Sequence, residues 1–145
     1  MIEVKEVPID EAVKVCQTVD EFDTQYEKEY FESRYAGKEH LIIVGYLDGK
    51  AVGFIVGYNR DNDGSFYCWM AGTNPIYRRR GVLTTLMEYE EKWAKNKGYT
   101  KIRIKTRNNK REMLSSLVSK GFLFLEVEAR EPITENRILL ERNID

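Results

Sequence analysis

The chain has 145 residues, 42% hydrophobic and 32% charged, which suits one globular domain over 1–145 and leaves no room for a second. Lysine and arginine number 23 against 24 aspartates and glutamates, so the overall charge favours neither wholesale nucleic-acid binding nor adhesion to an anionic membrane. The single histidine, His40, excludes a His-rich metal site; the separated Cys16 and Cys68 read as reduced thiols, and no long apolar stretch is present, all of which points to a cytoplasmic protein without a metal.

Ile2 to Val7 reads as a short strand. After Pro8 a helix starts at about Asp10, with Ala12, Val13 and Cys16 at helical spacing, and a second helix is expected over about Gln25 to Tyr35. Between Asp10 and Glu32 lie Asp10, Glu11, Asp20, Glu21, Asp23, Glu27, Glu29 and Glu32 against only Lys14 and Lys28. The plain reading of that charge run is a solvated helical face. Leu41 to Tyr46 and Ala51 to Tyr58 are apolar runs joined by Leu47-Asp48-Gly49-Lys50, a hairpin signal. Asp61-Asn62-Asp63-Gly64 then turns the chain into Ser65 to Thr73, an aromatic-rich third strand ended by Asn74-Pro75, on which Tyr67 and Trp69 share one face by alternation.

Arg78-Arg79-Arg80-Gly81-Val82-Leu83 follow and open an amphipathic helix that begins near Arg80. Leu83, Leu86, Met87, Trp93 and Ala94 fall on one face, Glu88/Lys92 and Glu91/Lys95 form i,i+4 pairs on the other, and Gly98 ends it. Arginines in a first turn oppose the helix dipole at a cost of roughly 0.3–1 kcal/mol each. No Ser, Thr, Asp or Asn stands there to cap the turn. An anion, above all a phosphate, resolves that conflict. Lys101 to Arg107 alternates strictly, placing Ile102, Ile104 and Thr106 on one face and the basic residues on the other as a solvated stripe. A last helix from about Lys110 to Lys120 uses Met113, Leu114, Leu117 and Val118, is capped by Gly121 and Phe122, and leads to strands at Phe122 to Val127 and Arg137 to Leu140. The order describes a mixed α/β sheet with helices on its faces.

Thr73-Asn74-Pro75-Ile76-Tyr77 followed by Arg78 to Leu83 resembles the Arg/Gln-x-x-Gly-x-Gly/Ala signature, with its Val-x-Pro-x-x approach, of the GNAT superfamily of acyl-CoA-dependent N-acyltransferases. Gly81 matches the first glycine and Leu83 replaces the second; its spacing to Leu86 and Met87 makes Leu83 a core residue. Met113 to Phe122, ending Lys120-Gly121-Phe122, is similar to the family's helix before its Gly-Phe strand, and the element order agrees over nearly the whole chain. The resemblance implies a single-domain GNAT-like fold of the α/β (α+β) class. Its mixed, mostly antiparallel sheet would have about 6–7 strands and about four flanking helices, with a splayed cleft for acyl-CoA.

That cleft would lie between the strand ending at Thr73 and the strand Lys101 to Arg107, with acetyl-CoA as co-substrate. The pyrophosphate would sit on the backbone N–H groups of Arg79, Arg80, Gly81, Val82, Leu83 and Thr84, Gly81 letting the main chain approach closely. Arg78, Arg79 and Arg80 would add charge, and Thr84 and Thr85 hydroxyls. Ala71, Gly72 and Thr73 would pair with the pantetheine amides as an added strand does. The family's Asn against the pantetheine falls on Asn109, one residue from Lys110, the position given by spacing from Phe122.

Acyl transfer to an amine needs a neutral nitrogen, a donor for the developing oxyanion and a proton for the departing thiolate. The family's Tyr in the last helix falls on Leu117 and its strand Glu on Trp69, so neither stands here. A thiol of pKa about 8.5 leaves without an acid, slower by roughly 10²–10⁴-fold. Tyr67 remains as a proton relay. In relatives the first two helices border the acceptor site, where an acidic rim would attract a cationic amine; Glu27, Glu29 and Tyr30 are the candidates there for amine recognition or water-mediated deprotonation. Cys68 has no histidine partner, which favours direct attack in a ternary complex. The expected function is transfer of an acetyl group from acetyl-CoA to a primary amine of a small molecule or peptide. The absent Tyr and Glu keep open an acyl-CoA-binding sensor or interaction module, and the basic stripe a nucleic-acid groove. Dimers occur in the family, and no residue pattern marks an interface.

Overall fold

Alternating and apolar runs between turn residues build most of the sheet, as a computed structural model describing residues 1–19 and 26–145 makes plain. The elements are β1 (Ile2–Glu6), α1 (Ile9–Cys16), α2 (Lys28–Tyr35), β2 (His40–Leu47), β3 (Lys50–Tyr58), β4 (Ser65–Thr73), α3 (Val82–Asn96), β5 (Lys101–Arg107), α4 (Arg111–Ser119), β6 (Leu123–Glu128) and β7 (Arg137–Asn143). Short 3-10 turns at Pro75–Tyr77 and Ile133–Glu135 complete them. No helix among the described residues is long and apolar enough to cross a membrane.

Seven strands form one open sheet in the order β1-β2-β3-β4-β5-β7-β6, in which only β4 and β5 run parallel. Their pairing is short, from Ser65 against Lys101 to Cys68 against Ile104. Beyond it β4 stays with β3 as far as Thr73 against Gly53, while β5 stays with β7 as far as Arg107 against Arg137. The sheet therefore forks. A β-bulge sits at the fork: Val56 pairs with Met70 and Gly57 with Cys68, leaving Trp69 as the extra residue.

Helices cover both faces. On one, α3 and α4 bury Ile55, Phe66, Leu86, Leu117 and Leu140; on the other, α1 and α2 bury Phe31, Val44, Phe54 and Tyr67. The start of α3 lies directly on β3, because a Cβ on Gly53 would come within 2.6 Å of Val82 Cγ1. The edge strand β6 presents Leu123 and Phe124 to solvent.

Several expectations are corrected. The helix begins at Val82, not near Arg80, and Arg78 to Gly81 form a turn with Arg79 at φ 64° and Gly81 at φ 78°. The arginines thus precede the first helical turn and do not oppose its dipole from within. The start expected for α2 at Gln25 lies outside the described residues, and the helix is observed from Lys28. The i,i+4 pairs on α3 do not form: Glu91 instead holds Arg142, and neighbouring Glu90 is buried at 1% exposure. The basic stripe is interlocked with carboxylates. Arg103 reaches Asp61, Asp63 and Glu141, each at 2.9 Å, Lys101 reaches Glu141 at 3.9 Å, Lys105 reaches Glu128 at 2.9 Å and Arg107 reaches Glu135 at 3.5 Å. Such a stripe is not a free cationic groove, and the nucleic-acid reading loses its basis. The final strand continues past Leu140 to Asn143 because it pairs along all of β5.

Candidate active site

The fork opens two chambers that join. The larger, about 450 Å³, is floored by the end of β4 at Ala71, Gly72 and Thr73 and walled on one side by the turn with Arg78, Arg79 and Gly81. Val82, Leu83 and Thr84 line it from the start of α3, and Asn109, Lys110 and Met113 from the opposite bank. Gly81 is the N-cap of α3, no side chain caps the helix, and its first turn holds no acidic residue. The unpaired N–H groups and the positive helix end therefore stand open to an anion. A Cβ at Gly81 would touch nothing within 4 Å, so glycine is required there for its positive φ rather than for space.

The arginines divide. Arg78 and Arg79 line the chamber, and Arg79 spans it to Glu112 on α4 at 3.0 Å. Arg80 packs over the Tyr77 ring at 5.6 Å and lies outside the lining. Thr85 also lies outside it, its hydroxyl donating to the Gly81 carbonyl at 2.8 Å. Leu83 is only partly buried: it packs against the core and also lines the chamber, while Val82 is the fully buried neighbour. Asn109 donates to Glu135 at 2.9 Å.

The smaller chamber, about 270 Å³, has an aromatic wall and a cationic floor. Tyr26 stacks on Tyr30 at 4.7 Å, Tyr30 meets Trp69 at 5.6 Å, and Phe31 and Tyr58 brace Trp69 edge-on at 5.4 and 5.8 Å. The Arg34 guanidinium lies over the Trp69 ring at 5.1 Å. Packed this way, Trp69 has little rotamer freedom, so the wall is pre-formed. Lys105, Arg107, Lys110 and Arg137 supply the floor. Ala71, Lys110 and Met113 line both chambers and mark where they join.

Among the catalytic candidates, Tyr67 lines the smaller chamber beneath the Arg60 guanidinium, 3.9 Å from its ring. Burial pushes its phenol up to about 12, so Tyr67 keeps its proton at neutral pH and acts as a donor rather than a base. Tyr30 lines the same chamber. Glu27 and Glu29 are exposed and line neither chamber; at the start of α2 it is Tyr30 that faces the smaller one. Asp20, Glu21 and Asp23 lie outside the described residues. Leu117 is fully buried in the core, so its position does not face the chambers; Ser116 does. Cys68, buried beside Glu90, has its thiol pushed well above the usual range by burial, which removes it as a nucleophile. Lys110 stands at the junction, on the position to which the spacing from Phe122 points. No group of three or more His, Cys, Asp or Glu among the described residues is arranged to hold a metal.

The sequence profile of the Acetyltransferase (GNAT) family matches residues 9–115. No curated protein matches the sequence. Among solved structures, the ribosomal-protein-S18-alanine N-acetyltransferase from Escherichia coli superposes with a TM-score of 0.83 at 16% identity, over 100% of this chain and 95% of that one. A GNAT family acetyltransferase from Elizabethkingia anophelis with acetyl-CoA bound gives 0.74 at 17% identity, over 98% and 97%. The Bacillus subtilis acetyltransferase in complex with CoA gives 0.76 at 15%, again over 98% and 97%. Identities this low speak for the fold alone, but the profile covers well over half of the chain and includes the Arg78 to Leu83 turn, so the protein belongs to the Acetyltransferase (GNAT) family.

Proposed function

We propose that the protein transfers an acetyl group from acetyl-CoA to a primary amine of a small molecule or peptide by direct attack. The observation that carries this reading is the junction at Ala71, Lys110 and Met113, which joins an anion-binding chamber to a separate aromatic one. Two relatives of this fold hold acetyl-CoA or CoA. The larger chamber fits that group: an uncapped helix end and Arg78 and Arg79 suit a pyrophosphate, and the β4 edge freed at the fork suits the pantetheine amides. Acetyl-CoA supplies an activated thioester. In the overall transfer the amine nitrogen gains the new C–N bond, the C–S bond breaks, and one amine proton ends on sulfur.

The chain's own contribution is positional and electrostatic. Trp69 is the extra residue of the β4 bulge, and its backbone N–H is the candidate donor for the oxygen on which charge develops. Lys110 places a cation at the junction, where it stabilises a departing thiolate. Tyr67 holds a proton in the acceptor chamber, and Tyr30 shapes its wall. Buried Cys68 argues against an acyl-enzyme.

Calorimetric titration of acetyl-CoA into the wild type and Gly81→Glu, followed by thioester consumption with a panel of amines, tests the proposal. Binding to the wild type, loss of it in the variant and amine-dependent CoA release are expected. No binding at millimolar acetyl-CoA would remove the reading. Tight binding without amine-dependent release would assign the chain to the sensor role, which the absence of a phenol at the buried position 117 motivates.

A further inference from the structure

Leu117 closes into the core, but its neighbour Ser116 lines the larger chamber one turn along α4 from Met113, a residue of the junction. Residues three apart share a helix face with about 5–6 Å between their Cβ atoms, so Ser116 stands a side chain's length from where the chambers meet. Its Oγ accepts a hydrogen bond from Lys120 Nζ at 2.5 Å, an i,i+4 contact at the end of α4. Because Lys120 donates to that oxygen, the serine's own hydrogen turns elsewhere, and among the described residues it meets no acceptor. Lys120 also lines a separate recess of about 250 Å³ between α3 and β7. The other charged groups there are Glu88, Glu90, Glu91 and Arg142, of which Glu91 holds Arg142. Ser116 and Lys120 therefore form a hydrogen-bonded path from that recess to the larger chamber.

Resting on the acetyltransferase reading, we propose that Ser116 is the proton donor to the departing thiolate of CoA, with Lys120 as the residue that positions and recharges it. A serine hydroxyl alone is a poor acid, and an ammonium group bonded to its oxygen makes the proton transferable. Ser116 gives its hydrogen to sulfur as the electron pair of the broken C–S bond arrives there. Lys120 Nζ returns a hydrogen to Ser116 Oγ and regains one from solvent at the recess, while the proton lost by the amine passes to solvent. The totals balance, and no tyrosine is needed on α4. Lys110 keeps a separate task, supplying charge at the junction. Arg79 and Glu112, which also line the larger chamber, hold each other and leave Ser116 free.

Ser116→Ala and Lys120→Met, alone and together, test this. Calorimetry should find acetyl-CoA bound by Ser116→Ala within about twofold of wild type, while amine-dependent CoA release falls about a hundredfold, the lower end of what general acid catalysis supplies. The double variant should be no slower than Ser116→Ala, because the two residues act as one unit. A second readout needs no turnover. Between pH 7 and about 9.5 the affinity for CoA relative to acetyl-CoA should rise several-fold more in wild type than in Ser116→Ala, since a donor at the sulfur favours the bound thiolate. Acetyl-CoA has no thiol to ionise, so the ratio cancels every other titration. Undiminished turnover in Ser116→Ala, losses that multiply in the double variant, or an equal rise of the ratio in both proteins overturns the assignment while leaving acetyl-CoA binding intact. Acetyl-CoA binding with no amine-dependent release in wild type overturns the acetyltransferase reading instead, and the CoA-to-acetyl-CoA ratio still decides whether Ser116 meets the sulfur.

Discussion

Cys68 on β4 and Glu90 on α3 meet beneath the sheet, the buried thiol set against the buried carboxyl group, whose Oε2 has no hydrogen-bond partner among the described residues. Burial dominates and raises the Glu90 carboxyl to about 8, the contact with Cys68 pulling slightly the other way. Glu88, Glu91, Lys120 and Arg142 are the charged side chains that share a neighbouring 250 Å³ recess with it, where Arg142 is held by Glu91. Glu90 is therefore neutral in the folded protein at neutral pH and ionised in the unfolded chain.

Its folded value lies above its unfolded one, so the folded state binds the extra proton between them. The stabilisation is fully present below the unfolded value near 4.5 and is lost as pH rises to about 8. Chemical denaturation from pH 5 to 9 should show stability falling by a few kcal/mol and then levelling, since one proton held only by the folded state makes stability fall by about 1.4 kcal/mol per pH unit. Glu90→Gln keeps the shape and removes the titration, so its profile should be flatter. A wild-type profile that rises across the same range would contradict this assignment.

The buried thiols give a second expectation. Cys16 is pushed up to about 11 by burial, and Cys68 higher still. Neither should react with a thiol reagent at pH 8 until denaturant is added, when both should. Under the proposed direct attack, initial-velocity lines for acetyl-CoA and amine should intersect, and Cys68→Ser should preserve that pattern. Rapid labelling of the native protein with loss of turnover would restore the covalent route.

Close approach of α3 to β3 is equally testable. A Cβ at Gly53 would stand 2.6 Å from Val82 Cγ1, 3.1 Å from Leu86 Cδ1 and 3.3 Å from the Gly72 carbonyl. Valine in a helix is nearly confined to one rotamer, so the helix start must move instead. Gly53→Ala should cost about 1–3 kcal/mol and weaken acetyl-CoA binding several-fold, because the uncapped N–H groups shift with Val82. Adding Val82→Ala should restore most of the affinity, as measured by thermal unfolding and calorimetry. Undiminished affinity in Gly53→Ala would mean that helix placement does not govern the anion site.

Much of this architecture is legible in the chain, and the rest is hidden for identifiable reasons. β4 and β5 appear with the boundaries expected from alternation and flanking turn residues, Ser65–Thr73 and Lys101–Arg107. The bulge at Trp69 leaves no trace in alternation, since it depends on how β3 pairs. Positive φ at Arg79 carries no composition signal, so pattern alone extends the helix into the arginine turn. The basic stripe reads as solvated because its partners, such as Glu141 for Arg103, are distant in sequence. Glu90 is detectable: with Leu83, Leu86, Met87 and Ala94 it completes the apolar face of α3 at helical spacing, and a carboxylate there signals burial. The smaller chamber is the least legible, because it assembles α2, β4, β5 and β7 residues that no local pattern connects.

The Arg79–Glu112 pair bridges the larger chamber with both side chains more than four-fifths exposed, at 85% and 84%. A pair so exposed adds little to stability, typically about 0.2–1 kcal/mol at most. Its consequence for binding is greater, because Glu112 occupies the guanidinium and adds negative charge where an anion is expected. Glu112→Gln should leave the thermal midpoint within error of wild type and tighten acetyl-CoA binding about two- to fivefold at low salt, the factor corresponding to the pair's own energy. The gain should fade as ionic strength rises, since both groups are solvated and screened. Weaker binding in Glu112→Gln would show instead that the carboxylate orients Arg79 toward the anion rather than competing with it.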